Sequence, residues 1–168
     1  MHDDDPRPPE QPDPPAAPTP APGPELLEQP VLPRLGLSAT TIVAIFVGGA
    51  LGTVARFLLD QGHPTAAGHF PLTTLLINLS GSLLIGAGIP LTERVGQRLP
   101  AIRPFAIVGV LGGWTTYSTL ANDGIQLAQH GHVLIMLAYL GATVLGGIAA
   151  VLVGHRLTAA LQHGEIAS

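Results

Sequence analysis

Twelve residues from Gly109 to Leu120 place three glycines, four aliphatic hydroxyl side chains and two aromatic rings inside a membrane-length apolar segment. Lipid offers the backbone no hydrogen bonds, so non-helical chain at that depth persists only against protein, water or an ion. The tract is therefore expected to be a broken helix with a site in it. A second signal comes from Thr74, Asn78 and Ser82, which recur every four residues and so form one polar stripe on a helix. Tyr139 and Thr143, followed on the same face by Gly147, repeat the pattern. A buried amide without partners costs several kcal/mol, roughly 2–7. Asn78 is thus either helix–helix glue or part of a polar track for a solute; two stripes and a broken helix favour the track. Arg56 is a charged side chain inside an apolar span, where ionisable groups are expensive and point to function. It either snorkels to the interface near Asp60 or faces a vestibule that would draw anions.

Composition narrows the function classes. The chain of 168 residues is 46% hydrophobic and 11% charged, which fits a single membrane domain. Seven of its eleven acidic residues precede Leu37, so the net charge of -4 comes mostly from the leader and implies no nucleic acid. Cysteine is absent, which excludes disulfides, thiolate metal sites and cysteine nucleophiles. No nucleophile–base pair, Walker loop or GxGxxG stands in the sequence, so no enzyme is expected. His63, His69, His130 and His132 read as loop residues rather than metal ligands.

Residues 1–36 hold twelve of the seventeen prolines and are expected to be a disordered, Pro-rich tail. It is not read as a signal peptide, because Asp3, Asp4 and Asp5 stand where basic residues belong. A channel-like domain is expected over 37–157 and a short C-terminal tail over 158–168. Four apolar segments, near 40–59, 72–91, 102–127 and 133–153, each approach the ~20 residues that cross the hydrocarbon core. The fold class is therefore an all-α membrane protein with four transmembrane helices, the third broken. Short loops favour antiparallel neighbours in a bundle. Arg7, Arg34, Arg94, Arg98, Arg103 and Arg156 all fall on one side, and the opposite loops carry no Arg or Lys. By the positive-inside rule both termini are cytoplasmic, in a multi-pass protein of the cell membrane.

Three stretches carry a family resemblance. Gly48–Phe57 (GGALGTVARF) resembles the GGxxGAxxRY signature of the Fluc/CrcB fluoride channels. Thr74–Ser82 (TLLINLSGS) resembles their TLxVNxxGS segment, and the opening tract resembles their GxxGGxTTFSTF motif. The resemblance covers about 40–154 and leaves out the leader. It implies a passive fluoride exporter that relieves fluoride toxicity, working as an antiparallel, dual-topology dimer with two narrow pores. Fluoride is small and tightly hydrated, so a pore must replace its water with donors. Asn78 can supply an amide, and Thr74, Ser118 and Thr143 can supply hydroxyls. Tyr117 stands at the first motif phenylalanine and keeps a ring edge that favours anions; Leu120 stands at the second and does not. Tyr139 matches the family's fourth-span tyrosine, and Asp123 stands where a glutamate often follows the motif. The resemblance further implies a structural sodium ion (Na+) at the dimer centre, held by the backbone carbonyls of Gly112 and Thr115.

Two other classes remain open. A small four-span exporter would need a membrane-embedded glutamate in the first span, and 40–59 has none. A non-conducting or obligate heterodimer subunit is suggested by Leu120 and by the arginines. Oppositely inserted identical copies require little charge bias, whereas this chain is strongly biased. The expected partners are membrane lipid, fluoride, and either a second copy or a paralogue of opposite bias.

Overall fold

The computed structural model describes residues 38–164, and the expected Pro-rich tail over 1–36 lies outside them. Among the described residues all regular structure is helical. The helices are α1 (Ala39–Gly62), α2 (Leu72–Gly96), α3 (Pro104–Leu111), α4 (Gly112–Trp114), α5 (Tyr117–Gln129) and α6 (Val133–Gly164). Three of them, α1, α2 and α6, are long and apolar enough to cross a membrane. The third apolar segment, expected to be broken, holds no helix of that length. It is a series: a π-helical α3, a single turn α4, two extended residues, then α5.

Local sequence explains where the helices end. The Ser38 hydroxyl accepts from the Thr41 N–H and caps α1. α1 stops at His63, whose helical conformation is disfavoured by the following Pro64. Between α5 and α6 the chain makes a Schellman turn: Gly131 adopts φ 78°, its N–H reaches Ala128, and the His132 N–H reaches Leu127. α2 continues to Gly96 rather than 91, passing Pro90. There the Thr92 hydroxyl donates back to the Gly88 carbonyl at 2.7 Å. α6 runs past 153 to Gly164, so residues 158–164, expected in a tail, are helical, and Thr158 is buried. Leu157 to Gln162 are mostly good helix formers.

Close packing does not follow the expected antiparallel order of successive helices. The dominant contacts join α2 to α6 and α1 to α3, whereas α1 and α2 touch little. Both dominant pairs run parallel. Gly86 lies against the Val151 backbone and Gly147 against the Ser82 hydroxyl; Gly48 lies against Phe105 and Gly109, and Gly52 against Val110 and Trp114. In lipid no hydrophobic effect draws helices together, so the notches left by small residues decide which backbones can meet. Gly48 and Gly52 on α1 face α3 and α4, Gly86 on α2 and Gly147 on α6 each face the other's helix, and those helices pair. A cluster of buried apolar side chains among the described residues, Leu120, Leu127 and Tyr139 with Leu75, Met136 and Leu140, ties α5 to α2 and α6. Large apolar residues such as Phe46, Leu134 and Leu145 cover the outside.

Candidate ion pathway at the helix break

The break falls at Thr115 and Thr116, which have φ/ψ of -72°/155° and -143°/124°. An extended residue turns its N–H and C=O to the same side, as in a sheet. Asn78 on α2 meets both: its Nδ2 donates to the Thr116 carbonyl at 3.0 Å, and its Oδ1 accepts from the Thr116 N–H at 2.8 Å. One side-chain amide thus replaces the helical partners that the break removes. The second Nδ2 hydrogen stays available to a solute. Thr116 also caps α5, its hydroxyl accepting from the Thr119 N–H at 3.1 Å and lying 3.3 Å from the Ser118 hydroxyl.

One turn nearer the start of α2, Thr74 donates to Asp123 Oδ2 at 2.8 Å, and the Tyr139 hydroxyl donates to the same oxygen at 3.2 Å. The Tyr139 ring is fully buried and meets Phe70 edge-on, with centroids 5.7 Å apart. A cleft of about 200 Å³, lined by Thr65, Gly68, His69, Asn122, Asp123 and Gln126, opens beside this carboxylate. The cleft lies at the arginine-free end, because Thr74 and Tyr139 begin α2 and α6 while Arg98 and Arg156 lie near the other ends. The parallel register that seats Gly147 on Ser82 brings Thr74 and Tyr139 to one carboxylate. It sets Asn78 at the level of Thr143 between them.

The remaining expected residues divide. Thr143 is buried, and its hydroxyl donates back to the Tyr139 carbonyl at 2.8 Å. Leu120 is packed into the apolar cluster, whereas Tyr117 is 81% exposed on the surface of the single chain. Arg56 is half-buried, and its Nε donates to the Gly113 carbonyl at 3.2 Å. Gly112 and Thr115 flank that carbonyl, and no hydrogen bond among the described residues ends on either of their carbonyl oxygens.

Residues 43–155 match the family model described as CrcB-like protein, Camphor Resistance (CrcB). The chain belongs to the CrcB-like family. Its relatives include the fluoride-specific ion channel FluC 2 of Nocardia farcinica, 39% identical over 70% of this chain and 84% of that protein. FluC 1 of Nitrobacter hamburgensis is 41% identical over 73% and 98% of the two chains. FluC of Methanopyrus kandleri is 43% identical over 70% and 88%. All three are named ion channels, which catalyse no covalent reaction. With its apolar helices, this CrcB-like chain is a multi-pass protein of the cell membrane.

Two parts of the CrcB-like site were not picked out by spacing. Thr116 holds the break through its backbone, and backbone roles leave no mark on residue type. Its position as a Thr before a helix is the one available signal. Asp123 joins α2, α5 and α6, and a lone carboxylate within an apolar segment was the signal for it.

Proposed function

We propose that the chain is a subunit of a fluoride-selective channel through which fluoride leaves the cytoplasm passively, relieving its toxicity. The observation that carries this reading is the line of donors along two parallel helices, in a chain whose relatives are named fluoride-specific channels. Thr74 and Tyr139 stand at the mouth, Asn78 and Thr143 at mid-depth and Ser82 beyond, with Ser118 beside the break. Asp123 Oδ2 takes two hydroxyl hydrogen bonds at one point. A carboxylate oxygen there stands in for the anion: when fluoride arrives, Thr74 and Tyr139 turn their donors to it. The aromatic edge of Tyr117, exposed on one chain, serves a pore completed by a partner, and Leu120 supports the wall behind it.

The free carbonyls of Gly112 and Thr115 suit a hard cation, and a sodium ion shared by two antiparallel subunits fits them. Bound there, sodium supplies a fixed positive charge near the path. Tyr139→Phe removes one of the two donors while keeping the buried ring. The loss of about 0.5–1.5 kcal/mol for one such bond predicts a fluoride flux lower by about two- to twelvefold, measured with a fluoride electrode on proteoliposomes. Unchanged flux would take Tyr139 out of the pathway.

The arginine asymmetry favours a second reading, in which one fixed orientation makes the partner a paralogue of opposite bias. Fluoride efflux from liposomes holding only this chain, with sodium present and chloride as control, decides between them. Fast fluoride release without chloride release is the expected result and establishes a conducting homodimer. Silence from folded protein, followed by release on co-expression with a paralogue, would establish the heterodimer; silence in both would refute the channel.

A further inference from the structure

We infer that Arg56 is a positioning residue: a latch from α1 that fixes the end of α4 and so sets the geometry of the helix break. The run from Pro104 to Trp114 ends without the next turn of helix, which leaves its last carbonyls without backbone partners and gathers negative partial charge there. The Gly113 carbonyl is one of these, and Arg56 Nε donates to it from a residue 57 positions away. The approach is shaped for that bond. A Cβ on Gly113 would strike the Gly49 carbonyl and lie 3.0 Å from the Thr53 backbone nitrogen, and a Cβ on Gly52 would strike the Val110 carbonyl. Gly52 and Gly113 therefore bring α1 to the backbone of α3 and α4, and the side chain one turn beyond Gly52 reaches the break.

Held there, Gly113 fixes the direction in which Thr115 and Thr116 leave the helix. The break is thus gripped from both sides, by Arg56 on α1 and by Asn78 on α2. This assigns Arg56 work on backbone geometry, apart from any attraction its charge exerts on anions. The effect on flux rests on the fluoride reading; the effect on the break does not.

The molecule carries its own probe. Trp114 is its one tryptophan, ends α4 next to the break, and donates from Nε1 to the Ser80 hydroxyl at 3.0 Å. Glutamine places an amide nitrogen at the same bond count as arginine Nε but without charge, whereas methionine keeps bulk and loses the donor. In full-length protein, Arg56→Gln is expected to keep wild-type acrylamide quenching of Trp114 and fluoride flux within about threefold. Arg56→Met is expected to raise quenching and cut flux by about tenfold or more, as for loss of a charge-assisted bond. Wild-type quenching and flux in Arg56→Met would overturn the latch. So would an Arg56→Gln as damaged as Arg56→Met, because charge alone would then explain the residue; if the methionine variant fails to fold, Arg56→Gln is compared with wild type, and raised quenching with about tenfold lower flux in it overturns the latch. Altered quenching in a protein that never conducts fluoride keeps the latch and defeats the channel reading.

Discussion

Asn78→Ala is expected to reduce fluoride flux by about a hundredfold or more. The side chain has two tasks, and alanine ends both. It pairs with the N–H and C=O of Thr116, and both groups are left without partners at a buried break, at about 1–3 kcal/mol each. It also offers its second amide hydrogen to the ion at the level of Thr143. Tenfold in rate corresponds to about 1.4 kcal/mol, so loss of either task produces a visible drop and loss of both a severe one. Asn78→Asp separates them: it can still accept from the Thr116 N–H, but it loses the donor and places a negative charge where an anion must pass. Flux should then fall as far as in the alanine variant, with Trp114 fluorescence closer to wild type. A folded Asn78→Ala protein with wild-type flux would show that conduction needs neither its bonds to Thr116 nor its spare amide hydrogen.

Much of this arrangement was legible in the residues, and what was hidden is of one kind. Apolar length gave α1, α2 and α6 and their order, and the Gly-Gly-Trp-Thr-Thr run gave the break, because both follow from the lipid's refusal to hydrogen bond. The stripes of α2 and α6 were also plain, since four-residue spacing on a helix is geometry. Partners were not legible. Nothing near Asn78 in the chain names Thr116, 38 residues away, and nothing near Thr74 names Asp123, 49 residues away. Arg56 shows the same limit: Asp60, one turn on, is the local candidate, yet the bond goes to Gly113. The π-helical winding of α3 has no marker in residue type, although it sets the register in which Gly113 meets α1. The parallel pairing of helices was equally hidden, because loop length argues for sequential neighbours and only the glycine notches argue otherwise.

Those notches give the second large effect. Gly86→Ala and Gly52→Ala are expected to abolish folded, monodisperse protein or to lower its thermal midpoint by well over ten degrees. At Gly86 a Cβ would strike the Val151 carbonyl, and at Gly52 the Val110 carbonyl, with the Trp114 nitrogen 3.0 Å away. These obstacles are backbone, so no rotamer change relieves them and the helices must part. Overpacking a tight core typically costs about 1–3 kcal/mol and more where the wall cannot move. Separation also costs function beyond stability. Parting α1 from α3 draws Arg56 off Gly113, and parting α2 from α6 pulls Thr74 and Tyr139 off their shared carboxylate. Gly62→Ala is the control, since nothing stands within 4 Å of a Cβ there and alanine is the better helix former by about 1 kcal/mol. Its midpoint should equal or exceed wild type. If Gly86→Ala melts with the control, α2 and α6 do not lie as close as their glycines allow, and the register that aligns the two polar stripes loses its physical cause.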